Sequence, residues 1–238
     1  MKKVFLENSN AVDIFKKLNS SDLTIDLNPK KRKVFFKNKE NQTVASLRFS
    51  LNLMFDFDKV EVGKNDFINY TLVMIRSGMA SVGFFENGEL LDHKVFRAYM
   101  VRKKQGKSQI KYLKTKGKSR AGSRVRLAET LDFFDSINSR LTRYFETYRV
   151  DHIVLSCSKT LLPYLFGGKV SSPFEKDDHR IFKLPKHVSS PTFESLLEMH
   201  KILNLTELEY NFEELFELEK MLNINTLGDS SSVEDEDW

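Results

Sequence analysis

The feature that most constrains this chain is a 36-residue segment, residues 93–128, that contains 13 lysine and arginine residues and no aspartate or glutamate. Since the whole chain carries a net charge of +5 and this segment carries +13, the other residues together carry −8. The basic charge is therefore concentrated in one block rather than spread over the surface. Glycine and serine recur within the block, which predicts a flexible loop over about 101–122 with an affinity for polyanions.

The basic loop predicts a nucleic acid as partner, and RNA in particular. Clustered lysine and arginine side chains bind a phosphate backbone by releasing counterions, and glycines allow close approach of the loop backbone. A helix predicted to begin near Ser123 would point its positive end at the same loop. Arg124 and Arg126 in its first turn are unfavourable for the helix, and a bound anion would relieve that conflict. The alternative is a solvated basic loop with no specific ligand.

The remaining composition indicates a globular protein that works in a reducing compartment. Hydrophobic residues make up 40% of the chain, which is enough to bury a core. A single cysteine, Cys157, excludes an internal disulfide framework and a cysteine-built zinc site. Charged residues follow too soon after the N-terminus for the apolar stretch of a signal peptide, and no apolar run approaches 18 residues. We therefore expect a cytoplasmic location and no membrane partner.

Hydrophobic periodicity predicts an α/β fold, a mixed sheet with flanking helices, over residues 66–204. A β-meander delivers the chain into the basic loop, and a long helix follows it. The predicted elements are, in order, strands at 71–75, 80–85 and 89–99, a helix at 123–148, a strand at 153–157, a short helix that ends before Gly167, an edge strand at 180–184 and a helix at 191–203.

The two ends of the chain differ in charge from the centre. Residues 1–65 contain short strand patterns and no recognisable chemistry, so we predict an N-terminal β-containing extension used for packing or recognition. Residues 205–238 hold 11 acidic residues and one basic residue. They predict an acidic amphipathic helix at 205–227 and a disordered acidic tail at 228–238. The helix either packs in the ordinary way, masks the basic loop, or binds a basic protein.

The basic loop resembles a known family through its order of residues. Gly106-Lys107-Ser108-Gln109 is followed by Lys116-Gly117-Lys118, by Ala121-Gly122-Ser123 and by the long helix. This arrangement resembles the Vms-type, VLRF-like release-factor domain, a divergent relative of the middle domain of archaeo-eukaryotic peptide-chain release factors. The family pattern is Gly-x-Ser-Gln where translation release factors carry Gly-Gly-Gln. The resemblance is closest over about 95–150 and extends over about 70–203.

The resemblance implies a fold, an activity and a set of site residues. The fold would be RNase H-like. The activity would be release of nascent chains from peptidyl-tRNA on stalled large ribosomal subunits, which in eukaryotic members resembles endonucleolytic removal of the tRNA 3′ CCA end. Gln109 would be the catalytic residue, and Arg102, Lys103, Lys104 and Lys107 would contact the acceptor end. The remaining predicted RNA contacts are Gly106, Ser108, Lys116, Lys118, Arg120, Arg124 and Arg126.

No cofactor or metal is expected. A two-metal nuclease needs carboxylates at several strand ends, whereas the predicted strands over 71–86 and 153–157 carry only Glu86. The zinc finger, ankyrin repeats and unfoldase-binding motif of eukaryotic members are not seen, which predicts a compact, stand-alone version. Glutamine is not an effective general base, but its amide can orient an attacking oxygen and stabilise an oxyanion. The sequence leaves open whether the ester or a phosphodiester is cut, and a non-catalytic RNA- or ribosome-binding module is the rival hypothesis.

Overall fold

The computed structural model describes residues 1–64, 68–98 and 119–211, with the backbone alone for Lys30, Lys64 and residues 119–128. Within these residues the chain forms four α-helices and twelve β-strands. The described residues divide into two compact units, Met1–Ile68 together with residues 198–211, and Asn69–Leu197. Among the described helices, none combines the length and the apolar character that crossing a membrane requires.

The first unit is a five-stranded antiparallel sheet with a helix and a hairpin. The sheet has the strand order β1-β12-β4-β3-β2. The elements are β1 (Lys2–Leu6), α1 (Asn8–Asn19), β2 (Thr24–Asn28), β3 (Lys33–Lys37), β4 (Thr43–Arg48), the hairpin strands β5 (Leu53–Asp56) and β6 (Glu61–Lys64), and β12 (Thr206–Tyr210).

Helix α1 closes the core of this unit. Ala11, Ile14, Phe15 and Leu18 recur at three- and four-residue spacing, so they share one face of the helix, and all four are buried. The Phe15 ring packs edge-on against Phe55 at a centroid distance of 5.4 Å. The sequence predicted only strands here. It missed this helix because its four apolar positions are interspersed with Asn, Asp and Lys.

The prediction of an acidic amphipathic helix at 205–227 is wrong over the described residues of that range, because Thr206–Tyr210 is strand β12. Thr206, Leu208 and Tyr210 are buried and alternate with Glu207 and Glu209, which is the two-residue period of a strand. The prediction extended a helical spacing from Leu208 towards apolar residues further on. Residues 212–227 and the predicted tail at 228–238 lie outside the described residues.

The two glutamates of β12 are held by cations from three other strands. Lys33 Nζ donates to Glu209 Oε2 at 2.5 Å, and Lys3 Nζ lies 3.0 Å from Glu209 Oε1. Arg48 Nη1 lies 3.4 Å from Glu207 Oε2. Burial alone would raise the pKa of the Glu209 carboxyl, but hydrogen bonds and charges from Lys33 and Lys3 outweigh it and lower that pKa to about 2. The network fixes β12 between β1 and β4.

Replacing Glu209 by glutamine should lower the free energy of unfolding of this unit by about 2 kcal/mol at pH 7, because Lys33, only 8% exposed, loses its carboxylate partner. The folded-state pKa lies below the ordinary value of 4.5, so this stabilisation is complete above that pH and is lost as the pH falls towards 2. Urea unfolding at pH 7 and pH 3 measures both effects. Glu40→Gln, at an exposed position, is the control, and equal losses in the two variants would contradict the prediction.

The second unit is a mixed α/β domain, as the sequence predicted in outline. Its five-stranded sheet has the order β11-β10-β7-β8-β9. The elements are β7 (Asn69–Arg76), β8 (Met79–Glu86), β9 (Glu89–Arg97), α2 (Ser119–Thr147), β10 (His152–Cys157), α3 (Leu162–Phe166), β11 (Ile181–Lys183) and α4 (Phe193–Leu203), whose last turns belong to the first unit.

Four of these strands run in one direction. β10 is parallel to both β7 and β11, and β8 is antiparallel to β7 and to β9, so β9 runs parallel to β7. Consequently β7, β9, β10 and β11 all finish at the same side of the sheet. We call this side the carboxyl edge, and it is defined by the strand ends Arg76, Arg97, Cys157 and Lys183.

Helix α2 covers one face of the sheet and forms most of the core of this unit. Phe134, Ile137, Leu141 and Tyr144, which the sequence placed on its apolar face, are all completely buried. The helix begins at Ser119, one turn before the predicted start near Ser123, because Arg120 and Ala121 favour helix over coil. Gly122-Ser123 therefore lies inside the helix rather than at its cap.

Candidate functional site

The basic loop leaves the sheet at the carboxyl edge and returns as α2. β9 ends at Arg97, and α2 begins at Ser119. Arg120 lies in the first turn of α2, whereas the backbone places Arg124 and Arg126 beyond that turn, not within it as predicted. The catalytic candidate Gln109 and the predicted contacts Arg102, Lys103, Lys104, Gly106, Lys107, Ser108, Lys116 and Lys118 lie outside the described residues.

A cleft of about 430 Å³ lies between the end of β9 and the middle of α2. Phe96, Arg97 and Ala98 line it from β9, and four residues of α2 line it from the other side, namely Glu129, Asp132, Phe133 and Ser136. The two phenylalanine rings are buried, and both carboxylates are exposed. The cleft thus combines an apolar base with an acidic wall next to the most basic segment of the chain.

A second group of polar side chains lies at the carboxyl edge, where β7 and β10 end side by side. Arg76 Nη2 donates to Ser156 Oγ at 3.1 Å and lies 3.4 Å from His187 Nδ1. Arg76 Nη1 donates to the carbonyl oxygens of Ile75 at 2.9 Å and of Ser156 at 3.4 Å. Arg76 and Ser156 are half-buried, and His187 is exposed. Sequence reasoning missed this group, although an arginine that ends a buried strand was a usable signal.

Cys157 is partly buried against the core, where the sequence predicted a buried residue, and it is unsuited to act as a nucleophile. Its side chain contacts the hydrophobic cluster beneath α2, and Sγ lies 3.6 Å from the carbonyl oxygen of Ser158. Burial raises the pKa of the Cys157 thiol to about 12, and the nearby positive charge of Arg76 offsets only part of that rise. At neutral pH the group is a thiol, which is a weak nucleophile.

The two aspartates of α2 differ in their surroundings. Asp132 is exposed, whereas Asp135 Oδ1 accepts a hydrogen bond from the Val170 N–H at 3.0 Å. A Cβ atom on Gly168 would lie 2.5 Å from the same oxygen, so this approach requires glycine. In the part of the chain that the structure describes, no three His, Cys, Asp or Glu side chains are grouped to hold a metal ion.

Asn138, in the interior of α2, holds the segment 165–170 by hydrogen bonds. Its Nδ2 donates to the carbonyl oxygens of Leu165 and Val170, both at 2.8 Å, and the residue is completely buried. Asn138→Ala should lower the free energy of unfolding by about 2 kcal/mol, because it removes both donors and leaves a small cavity. Thermal unfolding tests this. Ser139→Ala, at the exposed neighbouring position, should change little, and equal effects would contradict the prediction.

Comparison with known proteins shows the family. The family model described as Bacteroidetes VLRF1 release factor matches residues 70–211, more than half of the chain. The chain belongs to the Bacteroidetes VLRF1 release factor family. The resemblance to VLRF-like domains is thereby confirmed, and the matched range includes the basic loop with Gly106-Lys107-Ser108-Gln109.

More distant relatives carry the name tRNA endonuclease ANKZF1. The mouse protein is 23% identical over 184 residues, which cover 73% of this chain, and the human protein is 24% identical over 139 residues, which cover 56%. The chain spans 24% and 19% of the lengths of these relatives, respectively. A solved structure described as the Vms1 mitochondrial localization core aligns with 86% of this chain and 83% of its own, at 14% identity and a TM-score of 0.38.

Proposed function

We propose that the protein is a ribosome-associated peptidyl-tRNA hydrolase or tRNA endonuclease. It would release nascent chains from stalled large ribosomal subunits in the cytoplasm by cleavage at the tRNA 3′ CCA end. The observation that carries the proposal is the match to a release-factor family over a range that contains the acid-free basic loop and Gln109. The name of the mouse and human relatives supports a tRNA as substrate.

The proposal includes an RNase H-like fold for the second unit. The described order supports it, since a three-stranded meander leads through the basic loop to a long helix, a parallel strand, a short helix and a further parallel strand. This topology delivers the start of the loop to the carboxyl edge. In open α/β sheets, ligands bind outside the carboxyl ends of the strands.

The proposed chemistry is positioning of an attacking oxygen without a cofactor. The Gln109 amide would orient either a water that attacks the ester carbonyl or a ribose 2′-OH that attacks the adjacent phosphodiester, and its N–H would stabilise the negative charge that develops. The lysines and arginines of the loop would hold the acceptor end by its phosphates.

The competing proposal is a non-catalytic RNA- or ribosome-binding module with the same fold. One observation favours it, because Lys107 places a long side chain between Gly106 and Ser108 in the loop. A side chain at this point limits how closely the loop backbone approaches the tRNA end.

The test is to incubate the protein with stalled peptidyl-tRNA on isolated large subunits and to sequence the tRNA 3′ ends. A tRNA that lacks its CCA end would establish the endonuclease. Released peptide with an intact CCA end would establish ester hydrolysis. Tight binding to the subunit with no release would contradict both and leave the binding module.

A further inference from the structure

Tyr164 is an exposed aromatic residue close in sequence to the carboxyl edge. β10 ends at that edge with Cys157, and the short helix α3, which carries Tyr164, begins at Leu162. In the part of the chain that the structure describes, Tyr164, at 36% exposure, is the only exposed phenylalanine or tyrosine, and all the others are buried or half-buried. An aromatic ring that the fold leaves in solvent is available to a ligand.

The Tyr164 ring is backed by the core of the second unit. It stacks on the ring of Phe134 in α2, with the centroids 5.7 Å apart and the planes at 19°. Phe134 is completely buried, so it covers the inner side of the Tyr164 ring, and the exposed area belongs to the outer face and the edge. A second flat ring can stack on that outer face in the offset geometry that aromatic groups prefer.

The helix that carries Tyr164 is held firmly against α2. Leu165, the next residue, is completely buried, and its carbonyl oxygen accepts a hydrogen bond from Asn138 Nδ2 at 2.8 Å. The Tyr164 N–H donates to the carbonyl oxygen of Leu161 at 3.0 Å. These contacts fix the orientation of the ring before any ligand arrives, which lowers the entropy cost of binding.

The surroundings of Tyr164 are basic. Lys159 and Lys169, five residues before and five residues after it, are both exposed, and residues 158–169 contain no aspartate or glutamate. A tight turn joins Lys159 to α3, and the Gly168 position next to Lys169 approaches the Tyr164 carbonyl oxygen. A flat ring flanked by cations binds single-stranded nucleic acid, because bases stack on the ring and phosphates attract the cations.

Tyr164 is also close to the cleft at the end of β9. The Phe134 ring lies 5.2 Å from the ring of Phe133, which lines the cleft. Two ring contacts therefore connect Tyr164 to the cleft, and the basic loop follows directly after the β9 residues on the other side of it. A strand of RNA held on Tyr164 would lie near the point where the loop leaves the sheet.

We propose that Tyr164 is a stacking site for an unpaired base of the tRNA 3′ end, with Lys159 and Lys169 contacting the adjacent phosphates. The stacked base would hold the single-stranded end in place while the basic loop reaches the bond to be cut. This inference rests on the proposed function for its substrate, but it concerns binding and requires no cleavage.

The experiment compares two RNA minihelices by fluorescence anisotropy, one with a single-stranded CCA end and one that is blunt. Tyr164→Ala should weaken binding of the CCA minihelix by about 5- to 100-fold, the effect of losing one stacked base. It should leave the blunt minihelix within about twofold, because paired bases cannot stack on the ring. The slope of log K against log salt should stay unchanged, since tyrosine is neutral, whereas Lys159→Gln and Lys169→Gln should each make it less negative by about 0.7.

Two variants serve as controls. Tyr164→Trp keeps an aromatic face and should bind the CCA minihelix at least as tightly as the wild type. Leu91→Ala removes an exposed apolar side chain, 44% exposed, near the start of β9 and should change neither affinity. If Tyr164→Ala does not fold, Tyr164→Leu decides, because leucine still covers Phe134 but has no aromatic face.

A folded Tyr164→Ala or Tyr164→Leu protein that binds the CCA minihelix like the wild type would overturn the proposal. An equal loss of affinity for the blunt minihelix would overturn it too, as would a wild type that does not distinguish the two RNAs. The proposed function fails separately, when a wild type that prefers the CCA minihelix neither cleaves nor releases peptidyl-tRNA on large subunits.

Discussion

Replacing Gln109 by alanine is expected to slow release of the nascent chain by about 100- to 1,000-fold while leaving the affinity for peptidyl-tRNA within about twofold. Loss of a single preorganised donor to a developing oxyanion has an effect of this size. Affinity should survive because phosphate contacts supply most of the binding energy, and a neutral amide makes no charge-assisted contact. Single-turnover release from stalled large subunits measures the rate, and co-sedimentation with the same subunits measures affinity.

The chain offers a matched control for this substitution in Gln105, a second glutamine of the same loop. Gln105→Ala removes an identical amide four residues earlier, outside the Gly106-Lys107-Ser108-Gln109 pattern, and should release nascent chains at the wild-type rate. If both variants are equally slow, the loop needs its overall composition rather than one positioned amide. If Gln109→Ala is as fast as the wild type, Gln109 has no catalytic role.

The pattern of the loss would also separate positioning from binding. Removing a group that acts only in the transition state lowers kcat and kcat/KM together. Removing a group that binds substrate and transition state equally raises KM alone. We expect the first pattern for Gln109. The second pattern would indicate that Gln109 is another RNA contact and would favour the binding module.

The core elements of the second unit could be predicted because local sequence determines them. The meander strands β7 and β8 are almost continuously apolar, and the turn Asn87-Gly88 between β8 and β9 has the two positive φ angles, 50° and 88°, that this dipeptide favours. The apolar positions of α2 repeat at helical spacing, and α3 stops at Gly167 as predicted. Each of these signals lies within a few residues of the structure that it specifies.

The first unit resisted prediction because its sheet is completed from the far end of the chain. β12 pairs with β1 and β4, so its glutamates meet their cations across more than 150 residues of sequence. In isolation, Glu207 and Glu209 read as part of a solvated acidic face. Only the pairing shows that they are half of an ion-pair network.

The candidate site shows the same division. The basic loop is visible in the sequence, because charge clustering is a local property. The group at the carboxyl edge is not, because Arg76, Ser156 and His187 are separated by 80 and 31 residues. Arg76 and Ser156 meet through the parallel pairing of β7 and β10, and His187 follows β11, which pairs with β10. The contacts of a residue at the end of one strand can be predicted only when the neighbouring strand is known.

Neutralising Arg102, Lys103 and Lys104 together is expected to weaken binding of tRNA by about 10- to 100-fold near 150 mM salt. Three lost contacts to single-stranded phosphates should make the slope of log K against log salt less negative by about 2. At saturating tRNA the rate of release should stay near the wild-type value, because these side chains hold the substrate and Gln109 performs the positioning. Salt titrations of tRNA affinity and single-turnover release at saturation measure the two effects.

The control for that triple variant removes three lysines from exposed positions of the first unit, Lys16, Lys17 and Lys39. The loss of net charge is identical, so any effect of the general electrostatic field appears in both proteins. We expect a small change of affinity in the control and the full change of slope only in the loop variant. Equal slopes in the two variants would show that binding follows net charge alone, and the basic loop would then be a solvated segment with no defined ligand.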